Sequence, residues 1–161
     1  NEEIANLTKR KMHFFVGPRP GKKSIDTLTA LNLTHCCTLL SEREDAQAIG
    51  KICQRLGIKW IWLAMDGGRV DVLRQMNMGD HIRQLSREIG DEPEPRIYFH
   101  CSAGIHRTGF FVYFLLRLTG LERAEALAEL TDLRPVTAEQ VGDERLDLAD
   151  EMVVNFGGNA G

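Results

Sequence analysis

Residues 108–120, "TGFFVYFLLRLTG", are apolar on every face of a helix. A helix can hide all its faces only where other elements surround it. The stretch "RIYFH", residues 96–100, has the character of a fully buried strand and stands just before it, joined by the short loop "CSAGIHRT". A buried strand feeding a central helix is the middle of an α/β fold.

The remainder of the chain alternates in the same way. "MHFFVG", "THCCTLL" and "IKWIWLAM" read as strands. "SIDTLTALNL" reads as a short helix with Ser24 as its N-cap. In "EREDAQAIGKICQRLG", Ala46, Ile49, Ile52, Cys53 and Leu56 fall at helical spacing and Gly57 supplies the stop. "VDVLRQMNMGDHIRQLSREIG" is expected as one long helix ending at Gly90. "LERAEALAELTDL" and "TAEQVGDERLDLADEMVV" are expected as two more, the second opened by a capping box from Thr137 to Gln140. The expected architecture is α/β, a central and mostly parallel sheet of about four or five strands flanked by helices. One domain over residues 1–156 and a flexible tail over 157–161 complete the expectation.

Composition removes several classes of function. Apolar residues make up 43% and charged residues 27% of the 161, enough for a buried core. The net charge of −3 speaks against a nucleic-acid binder. The longest apolar run, Phe110 to Leu116, is far short of the roughly 20 residues that a membrane span requires. Cys36, Cys37, Cys53 and Cys101 form no C-x-x-C pair and have no zinc-ligand spacing, so no metal and no cofactor is expected. Adjacent thiols inside an apolar strand favour a reducing compartment, and a cytoplasmic location is the expectation.

The loop between strand and central helix carries chemistry. Its amides and the helix N-terminus can converge on an anion. Ser102, Ala103 and Gly104 let the backbone approach closely; Ile105 and His106 complete the curve; Arg107 offers a planar fork for two phosphate oxygens. That field also lowers the pKa of Cys101, leaving a thiolate beneath a bound phosphate and ready for in-line attack. The Thr108 hydroxyl can donate to the sulfur.

The run His100-Cys101-Ser102-Ala103-Gly104-Ile105-His106-Arg107-Thr108-Gly109 resembles the signature of the cysteine-dependent protein tyrosine phosphatases, His-Cys-x-x-Gly-x-x-Arg-Ser/Thr-Gly. Every defining position is met. The chain's length and strand–helix order resemble the small dual-specificity branch. The resemblance implies Cys101 as nucleophile, Arg107 and the amides of residues 102–107 as the phosphate site, and Thr108 as an aid to the thiolate. It implies that His100 orders the loop rather than moving protons. It also implies an aspartate general acid upstream on a mobile loop. Asp66, directly after "IKWIWLAM" and before Gly67 and Gly68, is favoured; Asp71 is the alternative, with helix N-capping as its other reading. A disulfide between Cys101 and another thiol is a habit of the superfamily, but core packing is the default for Cys36, Cys37 and Cys53.

Other features have plainer readings. "GPRPGKKS" misses the nucleotide-loop spacing and reads as a surface turn, with Arg19, Lys22 and Lys23 solvated or at the rim of the site. Arg69 reads as solvated or meeting an anionic substrate. Glu139 or Gln140 could place the hydrolytic water. His106 is the one variable loop position able to carry a positive charge.

The expected activity is metal-independent hydrolysis of phosphomonoesters in proteins, phosphotyrosine first and phosphoserine or phosphothreonine after it. A phosphoinositide or inositol phosphate is the alternative substrate. A phosphate-binding module without turnover is the alternative of another class.

Overall fold

The computed structural model describes residues 2–157. The tail expected over 157–161 therefore lies, apart from residue 157, outside the described residues.

The four strands are all parallel: β1 (His13–Gly17), β2 (His35–Thr38), β3 (Lys59–Trp62) and β4 (Arg96–His100), in the order β1-β4-β2-β3. Cys36 stands level with Tyr98 and Trp60, and Cys37 with Phe99 and Ile61. This register separates two cores, because successive side chains in a strand point to opposite faces. Cys36, Tyr98 and the half-buried Trp60 and Trp62 face α2 (Ile25–Ala30) and α3 (Gln47–Leu56). Cys37, Ile61, Ile97 and Phe99 face the larger core. That core is built around α6 (His106–Leu118), in which every residue from Arg107 to Leu116 is buried. Phe110, Phe111, Tyr113 and Phe114 are fully enclosed, each contributing about 1.5–3 kcal/mol of burial. The expectation of a helix covered on all sides holds.

α1 (Glu2–Thr8), α4 (Val70–Arg74), α5 (Met78–Ile89), α7 (Arg123–Leu133), α8 (Pro135–Gln140) and α9 (Asp143–Gly157) complete the described elements. Several boundaries differ from the sequence expectation. The long helix over residues 70–89 is two helices, and Asn77 caps the second by accepting from the Asp80 amide at 3.1 Å. The last long helix also divides. Gly142 sits at φ 86°, a left-handed conformation that glycine adopts without a steric cost, and turns α8 into α9. Thr137 lies inside α8, so it forms no capping box; Pro135 opens that helix. Ser24 is the N-cap of α2 as expected, but it also closes a short 3₁₀ turn over Lys22–Ser24, and its hydroxyl takes the Gly21 amide rather than an amide of α2. Residues 42–45, expected in a helix, form an irregular loop before α3.

At Gly109, an added Cβ would stand 2.8 Å from Val141 Cγ2 and 3.1 Å from Thr137 Cγ2. Neither is the free end of a flexible chain, so the site is overpacked by one methyl group. Gly109→Ala is expected to cost about 1–3 kcal/mol of stability, measured as a lower urea midpoint at unchanged m-value.

Candidate active site

The loop from Cys101 to Ile105 leaves the carboxyl end of β4 and runs into the first turn of α6. Its shape is set by where its carbonyls go. His100 Nδ1 donates to the Cys101 carbonyl at 2.9 Å, and the Arg19 amide donates to that of Ser102 at 2.9 Å. Arg134 Nη1 donates to Ala103 and Gly104 at 2.8 and 3.0 Å, and Thr137 Oγ1 to Gly104 at 2.6 Å. The Gly109 amide takes Ile105. Five consecutive carbonyls are thus held by groups around the loop, and the amides turn to the inside, as an anion cradle requires. Gly104 has φ 72°, and a Cβ there would collide with the Gly17 carbonyl. Only glycine permits both the turn and the contact.

Cys101 is buried at the centre of this cradle. Burial is the largest influence on its thiol and opposes ionisation. The Thr108 hydroxyl, the Thr108 and Ile105 amides and the Arg107 charge together outweigh it, and the pKa falls below that of an ordinary thiol. Thr108 Oγ1 is enclosed without a hydrogen-bond partner of good geometry. The sulfur is the acceptor beside it.

Arg107 is almost fully buried. Its Nη1 and Nη2 donate to the two carboxylate oxygens of Glu44 at 2.6 and 3.0 Å, and Nη1 donates also to the Met65 carbonyl at 3.2 Å. A guanidinium has five donors. Three are used, which leaves Nε–H and one Nη2–H as a second fork for the sulfur and an anion above it. The Arg107 hydrogen bonds hold Glu44 down at about 2, against the opposing effect of partial burial. The Ser41 amide steadies the same carboxylate at 2.8 Å, and Arg19 grips the Glu44 and Asp45 carbonyls. Glu44 carried no role in the sequence reading. The Ser41-x-x-Glu44 spacing, which favours a local side chain–backbone closure, is the signal for it. Arg19 is no solvated turn residue: it ties the β1 loop to both the Glu44 loop and Ser102. Lys22 and Lys23 are exposed.

His100 ends a buried relay. Trp60 Nε1 donates to Thr38 Oγ1 at 2.8 Å, and Thr38 Oγ1 meets His100 Nε2 at 2.7 Å. Burial lowers the His100 pKa to about 4, so the ring is neutral. Nδ1 faces a carbonyl and carries the proton; Nε2 therefore accepts from Thr38. His106, exposed at the start of α6, is also lowered, by partial burial and then by Arg145 and Arg107. That lowering disfavours the positive charge that its position suggested.

Asp66 is exposed, next to the Met65 carbonyl that Arg107 holds. Gly68 packs on His106, where a Cβ would come within 2.9 Å. The Asp66 loop therefore lies against the cysteine loop. Asp71 is turned to other use. It is in the first turn of α4 and pairs with Arg69 at 2.9 Å, with both side chains mostly exposed. The N-cap of α4 is Arg69 and not Asp71. Glu139 and Gln140 are exposed on α8, and it is Thr137 and Arg134 that reach the loop. Cys36 and Cys53 belong to the smaller core, across the sheet from the core that includes Cys101, and Cys37 stands level with Phe99. All four thiols are free.

The model of the tyrosine phosphatase family matches residues 20–134. The chain belongs to the tyrosine phosphatase family. This cysteine-dependent phosphatase has no match among curated protein sequences. Its fold recurs in solved structures. PTPMT1 in complex with PI(5)P superposes with a TM-score of 0.69 at 17% identity, over 92% of this chain and 95% of that one. Kinase associated phosphatase, with its catalytic-site cysteine changed to serine, gives 0.64 at 15%, over 91% and 87%. The core catalytic domain of the PP-IP phosphatase Siw14 from S. cerevisiae gives 0.59 at 17%, over 92% and 87%. Among the described residues, no helix of this phosphatase is long and apolar enough to cross a membrane.

Two outcomes follow from the site's electrostatics. Alkylation of Cys101 by iodoacetamide, with Cys101→Ser subtracted, is expected to be half-maximal below the roughly 8.5 of a free thiol, and Thr108→Val is expected to move that midpoint upward. Glu44 has a depressed folded-state pKa, so its contribution to stability is complete above about 4.5 and is lost as pH falls through about 2. Glu44→Gln should destabilise the protein by on the order of 2 kcal/mol at pH 7. The gap to the parent should narrow when urea unfolding is repeated near pH 3.

Proposed function

We propose that this phosphatase hydrolyses phosphotyrosine in proteins, with phosphoserine and phosphothreonine as further substrates, through a phospho-cysteine intermediate. One observation carries the reading: the Cys101 sulfur lies beneath inward-turned amides with the second fork of Arg107 beside it. A phosphoryl group seated there has its oxygens on the amides of residues 102–107 and on Arg107, which stabilise the charge of the transition state. The Cys101 thiolate forms a bond to phosphorus as the bond to the leaving oxygen breaks. Asp66, as the carboxylic acid, gives its proton to that oxygen. The resulting carboxylate then takes a proton from water, the water oxygen attacks phosphorus, and the sulfur departs as a thiolate held by Thr108 and the Ile105 amide. None of these steps calls for a metal or cofactor.

A second reading rests on a specific observation. Arg19, Arg134 and Arg145 surround the loop, and each donates to backbone carbonyls; none has a carboxylate partner among the described residues. Inside the signature only His106 could add a positive charge at a variable position, whereas these three lie around it. Arginine charge around the loop without a carboxylate partner supports a multiply phosphorylated substrate such as a phosphoinositide or inositol phosphate. The complex of PTPMT1 with PI(5)P and the naming of Siw14 as a PP-IP phosphatase fit that reading, as the naming of kinase associated phosphatase fits the first.

The test is phosphate release from matched phosphotyrosine, phosphothreonine and phosphoinositide substrates at one ionic strength, with Cys101→Ser as the blank. Peptides are expected to turn over faster than the lipid. A preference for the lipid replaces the first reading with the second, and absence of turnover on all three leaves a phosphate-binding module. Asp66→Asn is expected to lower kcat by about 10²–10⁴-fold, and Asp71→Asn to leave it within about 3-fold, as a surface pair should.

A further inference from the structure

The segment around Asp66 has little secondary structure of its own, and side chains from three separate helices hold its backbone. His81 Nε2 meets the Ala64 carbonyl at 2.9 Å, and Arg107 Nη1 the Met65 carbonyl at 3.2 Å. Beyond Asp66, Arg145 Nε donates to the Gly68 carbonyl at 2.6 Å. Arg145 Nη1 also donates to the Val141 carbonyl, at 3.0 Å. The guanidinium thus bridges the aspartate loop to the end of α8, next to the Gly142 turn. Gly67 and Gly68 give the loop freedom to move, so its position depends on what holds it.

The surroundings of that bridge define its effect. Gly68 lies on His106 at the start of α6, where an added Cβ would come within 2.9 Å of His106 and 3.7 Å of Arg107. Val141 packs against Gly109 of the same helix. Arg145 therefore holds the aspartate loop against the element that carries the phosphate cradle. α4, which continues from the loop, is tied to the same helix α9 by Arg74 and Glu151 at 2.8 Å.

We infer that Arg145 is a positioning residue for proton transfer: its bridge between the Gly68 and Val141 carbonyls holds the Asp66 loop in register with the cysteine loop. The inference rests on Asp66 being the general acid. A displaced acid costs rate only where the leaving oxygen needs its proton. The defect is therefore selective for poor leaving groups and falls on kcat more than on KM.

The experiment compares phenyl phosphate, a poor leaving group, with 2,4-dinitrophenyl phosphate, a good one, across pH. Arg145→Met is expected to lower kcat on phenyl phosphate by about 10–100-fold and on the dinitrophenyl ester by less than about 3-fold. It should also weaken the descending alkaline limb that a required carboxylic acid gives the pH profile. Arg145→Lys keeps the charge but cannot span two carbonyls with a guanidinium, and is expected to show the same selectivity in smaller degree. Equal losses on both esters, or a rise in KM alone, would overturn the inference, as would a fully active Arg145→Lys. If Arg145→Met does not fold, the lysine variant decides alone. Asp66→Asn serves as the reference. Should it show no leaving-group selectivity, the assignment of the acid fails, whatever Arg145 does.

Discussion

The bidentate pair between Arg107 and Glu44 is the interaction on which the site depends. Arg107 is a buried cation. Without a partner it would be costly to bury, and with the wrong partner it would have no donors left for substrate. Glu44 meets it end-on and leaves the other fork open. The same guanidinium holds the Met65 carbonyl. One side chain therefore links the Glu44 loop, the cysteine loop and the aspartate loop, which come from three different strand ends.

The second constraint is the direction of the peptide groups. An amide cradle needs its carbonyls held elsewhere, since a peptide group that offers N–H inward must turn C=O outward. Here the holders are drawn from widely separated positions: Arg19 after β1, His100 at the end of β4, Arg134 and Thr137 at α8. A strand end, the β1 loop and α8 are thus engaged in keeping a loop of a few residues inside out. The elevated cost of misplacing α8 explains why Gly109, in the middle of that contact, has room for no side chain.

The sequence was informative where function and local pattern coincide. The four strands, the fully covered helix and the contiguous run from His100 to Gly109 were all legible, because period, composition and spacing are local properties. Glu44, Arg134, Thr137 and Arg145 were not recognised. Each acts across dozens of residues, and each sat in a segment with a plausible local reading. Glu44 lay in what resembled the first turn of α3. There the closure of Ser41 onto its carboxylate, the grip of Arg19 and the left-handed backbone of Asp45 at φ 52° override helix propensity. Thr137 looked like a cap because of its spacing to Gln140, but Pro135 had already started the helix. His106 looked cationic because position alone was read; partial burial, and after it the neighbouring Arg145 and Arg107, lower its pKa.

The relay from Trp60 through Thr38 to His100 has an optical consequence. The chain has two tryptophans, and both lie on the edge strand β3, stacked with ring centroids 5.7 Å apart. One of them donates its indole proton into the chain of bonds that ends on the backbone of Cys101. The intrinsic emission of this protein comes from a pair of rings wired to its cysteine loop, so a shift in the loop's footing alters the electrostatic surroundings of a fluorophore that nature has already installed.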